Sequence, residues 1–164
     1  MKEAAARPAF DDLPLIEVAA GILWREGRLL AAQRPEGKPL AGFWELPGGK
    51  LEAGESAEAA LARELAEELG ITVREARFWR VSEHPYPERG IRVRLHFFHV
   101  PEFDGEPAAR EGQALAWVTP EEAAGLAFLP ADADILRELR EREGTAAPVA
   151  PTLSQESIPA RHRP

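Results

Sequence analysis

Two spatial rhythms divide the apolar positions of this chain. From Leu15 to Ala20 and again through Ile22 to Trp24 the residues are apolar and β-prone, and after the polar Arg25-Glu26-Gly27 the pattern resumes from Arg28 to Gln33. That arrangement predicts a β-hairpin. Further along, Ile91, Val93, Leu95 and Phe97 alternate with polar residues up to Val100, which predicts a strand. It should pair with a strand inside Val73 to His84 across the turn Pro85 to Gly90, and a shorter strand is expected at Ala114 to Val118. A helical period appears at Leu61, Leu65 and Leu69, predicting a helix from Ala57 to Leu69. Ile135, Leu136 and Leu139 mark the inward face of a second helix, from Pro130 to about Arg142 and ending before Gly144. Thr119 and Pro120 supply an N-cap and first-turn proline for a short helix between them. The segments Arg34 to Trp44 and Pro101 to Gly112, rich in Gly, Pro and charge, read as loops. The whole is an α/β (α+β) pattern. Residues 1–13 lack periodicity and are expected to form a flexible arm, 14–143 one folded domain, and 144–164, rich in Pro, Ala and Ser, a disordered tail.

The helix at Ala57 to Leu69 is sharply bounded by a capping Ser56 and by Gly70, which can adopt the left-handed conformation. At 100° per residue Glu64, Glu67 and Glu68 fall within an arc of roughly 100°, beside the leucine stripe. Like charges at that spacing repel by a few tenths of a kcal/mol per pair, so the helix needs either free solvation or a neutralising cation. Hard oxygen ligands favour Mg2+ or Mn2+. Ahead of the helix, Pro47, Gly48 and Gly49 make a tight turn where backbone can approach a ligand or offer a carbonyl to a metal.

The residue order decides between those readings. Gly49, Glu55, Arg63, Glu64, Leu65, Glu67, Glu68, Gly70 and Ile71 fill every position of the Nudix box, G-x(5)-E-x(7)-R-E-U-x-E-E-x-G-U with U aliphatic. Seven of these are single-residue requirements, met by chance at a given register with a probability on the order of 10⁻⁸. The chain therefore resembles the Nudix hydrolases. The resemblance implies an α/β/α sandwich around a mixed sheet and hydrolysis of a nucleoside diphosphate linked to a further group. It also implies Mg2+, or Mn2+, held by Glu64, Glu67, Glu68 and the Gly48 carbonyl, with Glu64 a candidate base and Glu55 one step removed from the metal. Arg63 would orient the carboxylates by a salt bridge, in preference to touching phosphate.

Outside the box, Arg34, the run GFWELPGGK from Gly42 to Lys50, REGQALAW from Arg110 to Trp117, and LPAD from Leu129 to Asp132 are similar to the MutT-like branch. That similarity implies that Glu111 reaches the metals, that Arg34 and Glu45 to Gly48 (with Leu46 and Pro47) line the nucleotide pocket, and that Asp132 reads the base. Glu111 as an ordinary loop glutamate and Asp132 as a cap of the last helix are the competing readings. The bacterial 8-oxo-dGTP enzymes of this branch commonly carry Asn at the latter place. The MutT-like resemblance implies hydrolysis of 8-oxo-dGTP to the nucleoside monophosphate and pyrophosphate. Because Asn donates and accepts whereas ionised Asp only accepts, CTP or 5-hydroxy-cytidine triphosphate is the alternative substrate, and a nonenzymatic nucleotide-binding module the further alternative.

Composition narrows the setting. With 164 residues, 45% of them hydrophobic, there is material for one sizeable core. There is no cysteine, hence no disulfide framework or cysteine zinc site. The net charge of −8 opposes binding to long nucleic acid, and no 18-residue apolar run suggests a membrane span. A cytoplasmic monomer or homodimer acting on a small nucleotide is expected. Pro87, placed near where ADP-ribose hydrolases carry a proline, is explained by a turn; Trp24, Trp79 and Trp117 read as core, Trp44 as the best candidate for base stacking, and the four histidines have no metal-ligand spacing.

Overall fold

A computed structural model describes residues 9–145. The seven strands are β1 (Leu15–Arg25), β2 (Arg28–Gln33), β3 (Trp44–Glu45), β4 (Gly48–Lys50), β5 (Thr72–Tyr86), β6 (Ile91–Asp104) and β7 (Ala114–Val118). The helices are α1 (Ala57–Leu69), α2 (Pro120–Ala124) and α3 (Pro130–Thr145). The main strand order is β3-β2-β1-β6-β5, with β4 also pairing β1 and β7 also pairing β2. Strand β1 runs parallel to β6 from Leu15↔Arg92 to Leu23↔Val100 and antiparallel to its other partners, so the sheet is mixed.

Both faces of this sheet are covered, which is why β1 reads as a nearly unbroken apolar run. On one face Ala19, Leu23, Phe98 and Val100 pack against Ala60, Leu61, Leu65 and Leu69 of α1. On the other, Ala20, Ile22, Leu95 and Phe97 meet Ala123 of α2 and Ile135, Leu136 and Leu139 of α3. Each buried leucine or isoleucine contributes about 1.5–3 kcal/mol relative to exposure. The α/β/α sandwich expected from the box is therefore the observed architecture.

The capping chemistry is as the sequence implies. The Ser56 side chain accepts from the Ala59 N–H at 3.1 Å, and Gly70 has φ 70°. Thr119 accepts from the Glu122 N–H and Pro120 opens α2. Several boundaries differ from expectation. Strands β5 and β6 are longer than the alternation suggests because they pair with each other from Thr72↔Asp104 to Tyr86↔Ile91. Pro85 is tolerated because β5 lies at the sheet edge. The turn beyond is a 3-10 turn, Pro87–Arg89, closed by Gly90 at φ 65°. Helix α3 continues through Gly144 to Thr145.

The expected arm is also shorter than residues 1–13: Phe10–Asp12 form a 3-10 turn and Leu13 is buried, its carbonyl accepting from Arg92 Nε. Residues 1–8, and 146–164 of the expected tail, lie outside the described residues. Among the described residues no helix is long and apolar enough to cross a membrane.

Candidate active site

The hairpin creates the site by coming apart. Strands β1 and β2 pair only at Trp24↔Leu29 and Arg25↔Arg28; beyond that, β1 turns to β4 and β6 while β2 turns to β3 and β7. The splay opens a cleft of about 500 Å3. Its apolar lining comes from Ile16, Val18, Ala20, Val93 and Leu95, and its polar lining from Arg34, Glu45, Glu64, Glu68, Glu111 and Asp132. An apolar slot with a few convergent polar groups is the usual form of a small-molecule site.

Two glycines let the box helix reach the cleft. A Cβ on Gly48 would sit 1.9 Å from the Ala19 carbonyl oxygen across the β1–β4 pair, and one on Gly49 would sit 2.2 Å from Glu64 Cδ. The Glu64 side chain therefore lies directly against the Gly49 backbone. Its Oε1 accepts from Arg63 Nη1 at 2.8 Å. The same guanidinium holds both oxygens of Glu55, each at 2.8 Å, and donates to the Lys50 carbonyl at 3.0 Å. Bonds from Arg63 and from the Glu52 N–H hold the Glu55 carboxyl down at about 2. Arg63 thus ties the β4 strand, the approach to α1 and Glu64 together through its hydrogen bonds.

Glu68 lies one turn beyond Glu64 and faces the cleft. Burial, and then the carboxylates of Glu111, Glu64 and Glu45, push it up to about 8. Nearby cations answer part of this charge: Arg34 Nη1 lies 3.0 Å from Glu45, and Lys38 Nζ lies 3.6 Å from Glu111 across the mouth. Glu111 is thus a cleft residue. Glu67 is not: its side chain is 59% exposed and, among the described residues, pairs with Arg63 at 3.5 Å. The helix geometry explains this, since Glu68 is about 40° from Glu64 while Glu67 is displaced about 60° the other way.

Among the described residues no three His, Asp or Glu side chains form a ready-made metal cage. Glu64, Glu45 and Glu111 are turned toward Arg63, Arg34 and Lys38. The donor set nevertheless fits a hard divalent cation, because it is all oxygen and because Glu68 lies half-buried in the cleft beside the carboxylates of Glu64, Glu111 and Glu45, a concentration of negative charge that such an ion would neutralise.

Asp132 lies at the far end of the cleft, 3% exposed. It does not cap α3. One oxygen, Oδ2, accepts from the Leu46 N–H at 3.1 Å, and Oδ1 has no hydrogen-bond partner among the described residues. Burial pushes this carboxyl up to about 7. Leu46 and Pro47 line the cleft, and the Pro47 carbonyl is committed to the Gly21 N–H at 2.8 Å.

Trp44 does not line the cleft; its ring packs partly buried against the α3-side core while its backbone bonds Ala127 and Leu129. Trp24 and Trp79 pack there too, and Trp117 on the α1 side. Pro87 opens the 3-10 turn and is absent from the lining. That turn does bring two unforeseen residues to the cleft, Tyr86 and Arg89, along with Lys38 and Gln113 from the loops. Gln113 was within reach of sequence reasoning, standing in the run that carries Glu111; the others depend on how β5, β6 and the loop before β3 fold over the opening.

The NUDIX domain model matches residues 15–139, which include every strand and the box helix. The chain belongs to the NUDIX family. It is 45% identical over 124 residues to the CTP pyrophosphohydrolase of Escherichia coli, covering 76% of this chain and 90% of that one. To the 8-oxo-dGTP diphosphatase of Haemophilus influenzae it is 41% identical over 129 residues, 78% of this chain and 93% of the relative. The solution structure of the E. coli ORF135 protein superposes with a TM-score of 0.70 at 40% identity, over 87% of this chain and 100% of that one. The MutT NUDIX hydrolase from Burkholderia pseudomallei gives 0.65 at 30%, over 76% and 97%. Members of the NUDIX family use a divalent cation.

Proposed function

We propose that this NUDIX enzyme hydrolyses nucleoside triphosphates to nucleoside monophosphate and pyrophosphate with Mg2+, which Mn2+ can replace, and that oxidised dGTP, 8-oxo-dGTP, is its substrate. The observation that carries the reading is a single cleft with carboxylates at one end and a buried polar group at the other. Glu64, Glu68, Glu111 and the Gly48 carbonyl would hold the cation; Glu67, which faces Arg63 outside the cleft, would have to turn to join them. Once bound, the cation neutralises phosphate charge and acidifies a water. The chain does the rest. Arg63 fixes Glu64 for proton acceptance from the water, whose oxygen bonds to phosphorus as the α–β anhydride bond breaks and pyrophosphate leaves. Arg34 and Glu45 flank the nucleotide, and Asp132 meets the base edge.

Asp132 also favours a second substrate class. An acid stands where an amide is usual, and the 45% relative is named a CTP pyrophosphohydrolase, so CTP and 5-hydroxy-cytidine triphosphate form the alternative. The two readings converge near neutral pH. A protonated Asp132 accepts from Leu46 through one oxygen and donates its O–H into the cleft, as an amide would; ionised, it only accepts. Turnover of 8-oxo-dGTP, dGTP, CTP, 5-hydroxy-dCTP and ADP-ribose, with the released phosphate product identified, separates the readings. Absence of pyrophosphate from every triphosphate in the presence of Mg2+ would refute the activity.

A further inference from the structure

The site places Glu111 on a loop, yet it must act beside Glu68 of a helix. The loop is tied to the end of α1 by several hydrogen bonds. Ala108 N–H donates to the Leu69 carbonyl at 3.0 Å and Arg110 N–H to the Glu68 carbonyl at 3.1 Å. These satisfy carbonyls that the end of a helix leaves open. The Arg110 guanidinium lies over Gly70, where a Cβ would come within 2.5 Å of Nη2, and Nη1 reaches the Ala66 carbonyl at 3.4 Å.

Gln113 completes the connection. Its Oε1 accepts from the Glu111 N–H at 2.9 Å and its Nε2 donates to the Glu68 carbonyl at 3.3 Å. The partners fix the orientation of this amide, since an N–H must meet the oxygen and a carbonyl the nitrogen. One planar group therefore spans the backbones of the two carboxylate residues that face each other in the cleft.

We infer that Gln113 is a positioning residue that sets the spacing of Glu111 and Glu68 for the divalent cation, with Arg110 seating the loop beneath it. Its amide is committed to the Glu111 N–H and the Glu68 carbonyl, and it acts through Glu111. This rests on the proposed cation role of Glu111. A side chain that orients a metal ligand is typically worth 10–100-fold in affinity or activity.

The experiment measures Mn2+ binding to the nucleotide-free protein by electron paramagnetic resonance, for wild type, Gln113→Ala, Glu111→Gln and the double variant, alongside kcat, KM and melting temperature. Gln113→Ala should weaken Mn2+ by about 10-fold and lower kcat by a similar factor, with KM little changed. In the Glu111→Gln background the same substitution should change neither. Equal Mn2+ affinity for Gln113→Ala and wild type, or multiplicative effects in the double variant, would overturn the inference. Should Gln113→Ala fail to fold, Gln113→Met keeps much of the side-chain volume, loses both hydrogen bonds without adding charge to the cleft, and should show the same non-additivity. Because Mn2+ binding is read without nucleotide, a failure of the proposed substrate class leaves this test intact.

Discussion

Replacing Asp132 by Asn should stabilise the protein, and more so as pH rises. The wild-type carboxyl is buried, has one bond to Leu46, and ionises only at about 7. In the unfolded chain it ionises near the ordinary aspartate value, about three pH units lower. The sign follows: below pH 4 both states are protonated and the residue is neutral to stability. Between pH 4 and 7 the unfolded chain gives up the proton while the folded chain keeps it, so wild-type stability falls by about 1.4 kcal/mol per pH unit until the folded carboxyl also ionises. The total penalty is about 4 kcal/mol at pH 8. Asn pays none of it and can still accept from Leu46 through its carbonyl. Urea denaturation of both proteins at pH 4.5, 6, 7 and 8, without divalent metal, reads the effect, because every other ionisable group is common to the two. The stability difference should open in favour of Asp132→Asn by about 3 kcal/mol from pH 4.5 to pH 8, with an unchanged m value. A difference constant to within about 1 kcal/mol would refute the assignment of a proton to this buried carboxyl. The same pair tests selectivity: an unchanged ranking in the nucleotide panel would remove Asp132 from base recognition.

The carboxylate cluster makes three further predictions. Glu68→Gln should lower kcat by at least about 100-fold, and in wild type at pH 8 Mg2+ at 100 times its Kd should raise Tm by about 8 °C; a variant as fast as wild type, or no thermal shift, contradicts a cation at Glu68. Arg63→Ala should reduce kcat/KM by about 10–100-fold, and Arg63→Lys should not restore it, since a single ammonium cannot span Glu55, Glu64 and the Lys50 carbonyl; full rescue by Lys would show that charge alone suffices. Gly49→Ala should displace Glu64 and cost kcat on a scale of about 10-fold or more, visible in steady-state kinetics with the fold intact by circular dichroism; wild-type kinetics would show that Glu64 need not lie against this turn.

Much of the molecule was legible because local rules and burial agree. The leucine period, Ser56 and Gly70 determine α1, and the unbroken apolar run of β1 announces a strand covered on both faces. The order of carboxylates in the box, read with its glycines, placed Glu64 and Glu68 on one helix face, and the REGQ run nominated Glu111. Trp44 was misread because adjacency in sequence to the pocket turn says nothing about which side of a two-residue strand faces the cleft.

What the sequence by itself determined is therefore the set of parts whose information is local: the capped helix, the paired strands, and the box that places the chain among NUDIX enzymes. Tertiary structure alone decided the rest. The cleft exists because β1 and β2 splay, each drawn to different partners; Glu67 is left at the rim, and Asp132 crosses to the Leu46 N–H instead of capping its own helix. Burial and the facing carboxylates then set the proton affinities of Glu68 and Asp132. These depend on neighbours tens of residues away in the chain, and no spacing rule along it specifies the distance or dielectric between such groups.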